Sequence, residues 1–481
     1  MNTTVRFTET LPFPNTTSSK RIVPTSDLPA PMRISPIDSS PIGQGPVSQE
    51  TLVWEPAVKR NVQSKPLRVE QDHRPTAKEP RPAQTTPSDE PAPSGTRPNT
   101  MHPSYARVEI REVSTRRDRD RFVKFPWTIY GNDKQWSPPL LIEAKAFIDR
   151  RKHPFYAHGD AAQFLAMRDG VVDGRIMASD DPRYNEEHSA NTGCFGLFEC
   201  VNDQAVADAL LSRAAEWCRT KGRTEIMGPV DYSTNYPCGL LIEGFDTPQR
   251  VMMNHNPPYY VTLFEGWRLG KAKDLYAWWF DDTADMLDRW SKLASRFEKR
   301  GAVKIRPANF KNFEEEVARC QDVYNAAWET SWGFVKMSDV EFRHMAKHLK
   351  QLAQPELILL AEVDGEPAGF CVTLPDFNEA TRPLNGRLTN WGLPIGLVRL
   401  LRNLRRIRTA RMAVLGIREQ FRRRGVAELF ILRALSVGRD KLHYNGAELG
   451  WTLEDNVLIN RTIAKVGGQR YKTYRIYSTN I

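Results

Sequence analysis

The chain has 481 residues, 40% apolar and 26% charged, a balance that fits a folded protein with a polar diluent and excludes a fibrous or wholly disordered chain. No stretch approaches 18 uninterrupted apolar residues, which excludes a spanning helix. The net charge is +10, yet the first 104 residues hold 12 basic and 10 acidic groups, so most of the excess lies further along.

Residues 1–104 carry 18 of the 34 prolines among Ser, Thr, Gln and charged residues. Such a segment cannot bury enough apolar surface to offset its ordering entropy, and a disordered tail is expected. Its start lacks the compact apolar stretch of a secretory signal, so the expected address is cytoplasmic. Cys194, Cys200, Cys218, Cys238, Cys320 and Cys371 form no C-x-x-C pair and read as reduced core residues.

Past Arg107 the chain repeats itself. Val108-Glu-Ile-Arg111 returns as Val303-Lys-Ile-Arg306, and Asp169-Gly170 followed by Gly174 returns as Asp364-Gly365 followed by Gly369, both 195 residues later. Gly266-x4-Lys271-x3-Leu275-Tyr276 returns as Gly467-x4-Lys472-x3-Ile476-Tyr477, 201 residues later. Three echoes in one order argue for two copies of one fold, expected over 105–298 and 299–481. Each Asp-Gly sits between strand-like runs and reads as a hairpin, because glycine tolerates the positive φ of a tight turn.

The second copy is the more regular. A strand at 302–306 leads to helices over 313–328 and 339–352, a hairpin over 357–374, and an arginine-rich insertion. A strand at 411–417, a helix over 425–442, a strand at 446–453, a helix over 457–466 and a strand at 471–477 complete it. The fold class is α/β: a mixed sheet flanked by helices in each of two tandem copies, after the tail.

Met412 to Leu429 carries the most chemical information. A strand enters a turn containing Arg422, Arg423, Arg424 and Gly425, and a helix opens at Val426 and Ala427. Helix N-terminal N–H groups point into such a turn and favour negative charge there. Gly425 lets the backbone approach a ligand, and guanidinium forks suit phosphate oxygens. The turn is built for a phosphate or pyrophosphate.

Arg-x-x-Gly-x-Ala between strand and helix resembles the Q/R-x-x-G-x-G/A signature of GNAT-superfamily acyltransferases, and the element order matches. Glu448-Leu-Gly-Trp451-Thr-Leu-Glu454-Asp-Asn456, the helix after it and Gly467-Gly468 extend the resemblance over 302–481. It implies an acyl-CoA cosubstrate, its pyrophosphate on the 422–427 loop and its acyl carbonyl and pantetheine arm along Leu415, Gly416 and Ile417. It also implies transfer of the acyl group to an amine. Where many such enzymes carry a thiolate-protonating tyrosine, this chain has Ile463, so Tyr474 or Tyr471 is expected in that role. Glu448 and Glu454, six apart on one strand face by alternation, are the candidate bases, with Asn456 beside them.

In the first copy the equivalent turn, Phe198-Glu-Cys-Val-Asn-Asp203, has no glycine and no arginine, and Asp203 reads as a helix cap. A degenerate copy without cofactor is expected, its loops shaping an acceptor site through Asn235, Tyr236, Asn254, Asn256 and Tyr260. The whole span 107–481 resembles a bacterial family of tandem GNAT-like proteins that includes proposed ceramide synthases, which implies a long-chain, sphingoid-like amine.

Residues 393–411 place Leu397, Leu400, Leu401, Leu404 and Ile407 at helical spacing among Arg399, Arg402, Arg405, Arg406 and Arg408. A basic amphipathic helix of this kind suits a peripheral contact at the inner membrane face. His344-x-x-x-His348 lacks a third ligand, so no metal is expected, and no nucleic-acid motif is present. Two other readings stay open: a transferase of the same fold using aminoacyl-tRNA or an acyl carrier protein, and a non-catalytic acyl-CoA sensor.

Overall fold

In the computed structural model of the chain, residues 107–281, 303–350, 352–389 and 392–481 are described, and the tail expected over 1–104 lies outside them. The first half runs β1 (Glu109–Glu112), α1 (Arg116–Lys124), α2 (Pro126–Tyr130), α3 (Leu141–Phe147), β2 (Asp160–Arg168), β3 (Val171–Asp180), α4 (Pro182–Glu187), β4 (Thr192–Cys200), α5 (Gln204–Thr220), β5 (Glu225–Gly228), β6 (Leu240–Glu243), α6 (Tyr260–Gly266) and β7 (Gly270–Asp281). The second runs β8 (Val303–Pro307), α7 (Phe313–Trp328), α8 (Asp339–Lys350), β9 (Ile358–Val363), β10 (Glu366–Pro375), α9 (Phe377–Thr381), α10 (Ile395–Leu404), β11 (Thr409–Ile417), α11 (Val426–Leu442), β12 (Gly446–Leu453), α12 (Val457–Lys465) and β13 (Gln469–Asn480).

The two Asp-Gly turns form as expected. Asp169 and Gly170 have φ of 48° and 78°, Asp364 and Gly365 have 52° and 84°, and each pair joins an antiparallel hairpin, β2–β3 and β9–β10. Positive φ at both central residues gives the turn whose twist matches its strands.

All described strands join one mixed sheet in the order β1-β2-β3-β4-β5-β13-β7-β12-β11-β10-β9-β8, with β6 also on β13. The halves exchange their last strands. β7, from the first half, pairs with β12 of the second, Gly446 facing Asp281 and Leu449 facing Trp278. β13, from the second half, pairs with β5 of the first, Tyr477 facing Gly228. β7 and β13 also pair with each other along their length, from Gln469–Trp279 to Ser478–Gly270. Neither half therefore completes its sheet from its own residues.

Helices cover both faces. In the first half α5 turns Val206, Leu210, Leu211 and Ala214 onto Phe164, Ile176 and Phe195. In the second, α11 turns Val426, Leu429 and Phe430 onto Leu359, Val363, Met412 and Leu449, while α7 and α8 cover the other face with Val317, Val323 and Phe342 against Leu360, Phe370 and Val372. Truncating any one of the large buried residues to alanine would cost about 2–5 kcal/mol. The cysteines are all buried and free, as the sequence indicated.

Candidate active site at the splayed strands

β11 and β12 run parallel but pair only from Thr409–Gly446 to Met412–Leu449. Beyond those residues they part. Each strand carries an irregularity at the parting point. Against β10, Val372 faces Val414 while Thr373 faces Met412, leaving Ala413 as an extra residue. Against β7, Leu449 faces Trp278 while Thr452 faces Tyr276, one residue too many on β12. The backbone of β11 from Ala413 to Ile417 thus has β10 on one side and no strand on the other. Such an edge presents N–H and C=O groups that an extended amide-bearing ligand can satisfy.

The gap opens into a cavity of about 210 Å³. Met412 to Leu415 form one wall, Leu449 to Leu453 another, and Ile459 and Ile463 of α12 close the end. The first half contributes Thr234, Asn235, Tyr236, Pro237 and Met252. Tyr324 and Trp328 of α7, Ser331, Trp332 and Phe334 after it, and Met345 and Leu349 of α8 also line it. Hydrogen bonds fasten the halves here: Thr234 Oγ1 donates to Gly333 O (2.5 Å), Asn235 Nδ2 to Val335 O (3.0 Å), and Tyr324 OH to Asn235 Oδ1 (2.7 Å). Gly416 leaves room for Trp328, whose ring lies 2.6 Å from where a Cβ would stand.

At the far end of β11 the chain turns through Gly425 (φ 79°) into α11, a helix of 17 residues. The first-turn N–H groups point back into this turn. Arg423 and Arg424 are exposed at its mouth. Arg422 is committed elsewhere, since its Nη2 donates to Ala327 O (2.6 Å) and its Nε to Ile417 O (3.4 Å), so it braces α7 to β11.

In the first half the corresponding gap is filled. β4 and β5 also pair only briefly, from Thr192–Glu225 to Cys194–Met227. But Val230 N donates to Phe195 O (2.7 Å) and Leu197 N to Asp231 Oδ1 (2.8 Å), so the chain's own loop occupies the strand edge. Gly196 admits this approach, because a Cβ there would stand 2.6 Å from Val230 O. Burial pushes the Asp231 carboxyl up to about 7. Asp203 caps α5, accepting from Ala205 N (2.9 Å), and pairs with Arg168. The same loop that closes this gap continues as Thr234–Pro237 into the cavity of the second half.

The residues singled out from sequence fall into three groups. Glu448 is fully buried, accepts from Arg411 Nε (2.8 Å) and from the Tyr471 hydroxyl, and does not line the cavity. Arg411 does line it, held by a further bond from Nη2 to Gly450 O (3.0 Å). Glu454 lies past the extra residue of β12, out of phase with Glu448, and is tied to Lys271 (2.7 Å) and to Asp274 N (3.0 Å). The expectation that alternation puts both carboxylates on one face fails for that reason. Tyr474 is wholly buried among Leu241, Met253, Leu275 and Ile476, away from the cavity lining. Asn456 does line the cavity and caps α12, its Oδ1 accepting from Ile459 N (3.4 Å).

Of the acceptor-loop residues, Asn235 and Tyr236 reach the cavity and three others do not. Asn254 Nδ2 donates to Gly239 O (2.9 Å), Asn256 ties both Leu241 N (2.7 Å) and Leu241 O (3.0 Å), and the Tyr260 hydroxyl sits between Cys200 N (2.8 Å) and Glu199 (2.9 Å). They satisfy buried backbone and side-chain groups. Sequence reasoning overlooked Arg411, Met252 and the aromatic run Trp328 to Phe334. Three large aromatics within seven residues at the end of a helix, Trp328, Trp332 and Phe334, were the available signal. Among the described residues no Asp, Glu or His lines the cavity. His344 and His348 meet at 3.3 Å on the surface, and no group of three potential metal ligands is found among the described residues.

No family model matches the chain. It is 35% identical over 378 residues to Protein YghO of Escherichia coli strain K12, across 77% of this chain and 95% of that protein. It is 34% identical over 381 residues to the bacterial ceramide synthase of Caulobacter vibrioides, across 77% and 97% respectively. The chain belongs to their family. Among solved structures, a tandem GNAT protein from the clavulanic acid biosynthesis pathway matches 78% of this chain and 98% of its own at 14% identity, with a TM-score of 0.47.

Proposed function

We propose that the chain is an acyl-CoA-dependent N-acyltransferase acting on a long-chain, sphingoid-like amine, in the cytoplasm at the inner face of the membrane. The observation that carries this reading is the one-sided edge of β11 at Ala413–Ile417, which runs from the apolar cavity to the Gly425 turn. A pantetheine arm is an extended chain with two amides, and that edge offers it backbone partners. The α11 N-terminus with Arg423 and Arg424 would hold the pyrophosphate. Once bound, the thioester supplies an activated carbonyl. The filled gap of the first half explains why one donor site is expected, and that half, over 105–298, instead shapes the acceptor side through Thr234–Pro237 and Met252.

The chain's own residues then have limited work. Arg411, at the apex of the gap, is the one cation among the described residues of the cavity lining and favours negative charge developing there. The apolar walls exclude water and suit aliphatic chains. With no carboxylate or imidazole among the described lining residues, the amine is taken to arrive neutral or to lose its proton to water. The relative named as a ceramide synthase supports the long-chain acceptor.

The test is thermal melting with coenzyme A, acetyl-CoA and palmitoyl-CoA, paired with mass spectrometry of palmitoyl-CoA plus a long-chain 2-amino alcohol. A ligand at a hundredfold excess over Kd stabilises by about 2.7 kcal/mol. The expected result is stabilisation by palmitoyl-CoA beyond coenzyme A, reduced in Arg423→Gln/Arg424→Gln, with the amide formed. No shift with any of the three would overturn the donor assignment.

A further inference from the structure

Between Ala380 and Arg418 the chain has nine arginines, no lysine and no acidic residue. Helix α10 lies at the centre of this stretch, and three sectors divide its surface. Leu400 and Leu404 pack inward, with Ile407 beyond the helix, against Phe377, Ala380, Val251 and Tyr444. Leu393, Val398 and Leu401 remain 58%, 64% and 46% exposed. At about 100° per residue, Leu401 and Val398 lie about 60° apart beside the inward edge, Arg405 at the helix end falls between them, and Arg402 and Arg399 continue the arc past Val398. Arg399, Arg402, Arg405 and Arg406 are exposed or lie along that arc, and none forms an ion pair with a described residue.

Three exposed aliphatic side chains beside four exposed arginines, none paired with a described residue, form an amphipathic surface suited to an interface. We propose that α10 docks the protein on an anionic lipid bilayer, with Leu393, Val398 and Leu401 in the acyl boundary and the arginine arc on the phosphates. The chemistry selects this partner. Guanidinium groups alone would suit any polyanion, but a nucleic-acid backbone offers nothing to three exposed aliphatic side chains, whereas a lipid surface takes both.

The arm carrying α10 is hydrogen-bonded to the segment just before Met252. Arg250 Nη1 donates to Asp376 Oδ2 (3.1 Å), Val251 N to Asp376 Oδ1 (3.0 Å), and Asn378 Nδ2 to Gln249 O (3.0 Å). Asn403 Nδ2 ties α10 itself to Ala380 O (3.2 Å). Val251 packs under α10, and its neighbour Met252 is 40% exposed and lines the cavity. Docking through α10 would therefore hold the Met252 segment of the cavity lining close to the bilayer, where an acceptor with a long aliphatic tail resides. The inference rests on the reading above only in naming a membrane acceptor; the docking itself is independent of the chemistry.

The experiment is co-sedimentation of the full chain with phosphatidylcholine vesicles and with vesicles containing phosphatidylglycerol. Wild type is expected to pellet with the anionic vesicles alone. Replacing Arg399, Arg402, Arg405 and Arg406 by Gln should lower partitioning on the order of 100-fold, each arginine near a charged surface contributing about fivefold or less. Val398→Asp/Leu401→Asp, which leaves every arginine in place, should lower it at least about tenfold. Both variants alter exposed side chains, and an unchanged melting temperature confirms their fold. Acylation of a short, water-soluble amine without vesicles should be unaltered in both, so failure of docking and failure of the transferase reading are separable. Three results would overturn the proposal: no pelleting of wild type, equal pelleting of the Asp variant, or tighter binding to an RNA duplex that the Asp changes leave intact.

Discussion

Replacing Glu448 by Gln separates a structural carboxylate from a working base. The Arg411–Glu448 pair joins facing residues of β11 and β12 at 2.8 Å, with side chains 4% and 0% exposed. Removing the negative charge leaves a buried guanidinium uncompensated, and breaking a buried pair from one side costs about 3–5 kcal/mol. The Tyr471 hydroxyl, which donates to the same carboxylate, would also have to turn if the amide nitrogen took that position. Unfolding entropy of about 2.1 cal/mol/K per residue over roughly 350 residues gives near 0.7 kcal/mol/K, so the melting temperature should fall by about 4–7 °C. Differential scanning calorimetry measures this directly. Glu454→Gln is the comparison: its partly exposed pair with Lys271, which also has Asp274 at 2.8 Å, is worth about 0–1 kcal/mol and should move the midpoint by less than about 2 °C. Adding Arg411→Met to Glu448→Gln should recover part of the loss by removing the orphaned charge. If Glu448→Gln melted with wild type while amide formation fell a hundredfold, Glu448 would be the base and the structural assignment would fail.

Two further outcomes concern pH. His153, stacked on Tyr232 at 4.5 Å, is lowered to about 4 by burial, below its ordinary 6.5, so between those values the unfolded chain binds a proton the fold does not. Stability is lost as pH falls from 6.5 towards 4, by about 3 kcal/mol in all, and His153→Phe should flatten that slope in a melting series; a slope unchanged by the substitution would refute it. Asp231 behaves oppositely. Its carboxyl, raised to about 7 by burial, holds a proton in the fold where the unfolded chain has lost one, so stability declines as pH rises from about 4 to 7. Asp231→Asn keeps an acceptor for Leu197 N and should raise the melting temperature more at pH 8 than at pH 5, whereas equal midpoints at both would show the carboxyl ionises freely.

Much of the fold was legible because the signals are local. The helix expected over 313–328 is α7 to the residue, and the expected 446–453 strand is β12. The Asp-Gly turns needed only their own φ preferences. What could not be read was partnership. The sequence marks a strand at 471–477, but says nothing of β13 lying on β5 or of β7 lying on β12. The site shows the same division. Gly425 and the arginines around it announce themselves in one short segment, whereas Arg422 turns to Ala327, and Arg411 meets Glu448 only through a parallel register set elsewhere. Asn254 and Asn256 were misplaced because an amide that satisfies a buried backbone looks, in sequence, like one that awaits a ligand.

The exchange of β7 and β13 has a consequence for how the protein comes into being. On the ribosome, β1 to β5 emerge long before the strand that must border β5, which is made nearly the whole second half later. Until then the β5 edge lies open, and β7 has no β12 to join. The nascent first half therefore waits as an incomplete sheet, exposed to capture by chaperones or by another chain's β13. Expressed separately, the two halves should not behave as modules. Mixed, they should be able to complete one another in trans, each supplying the strand the other lacks.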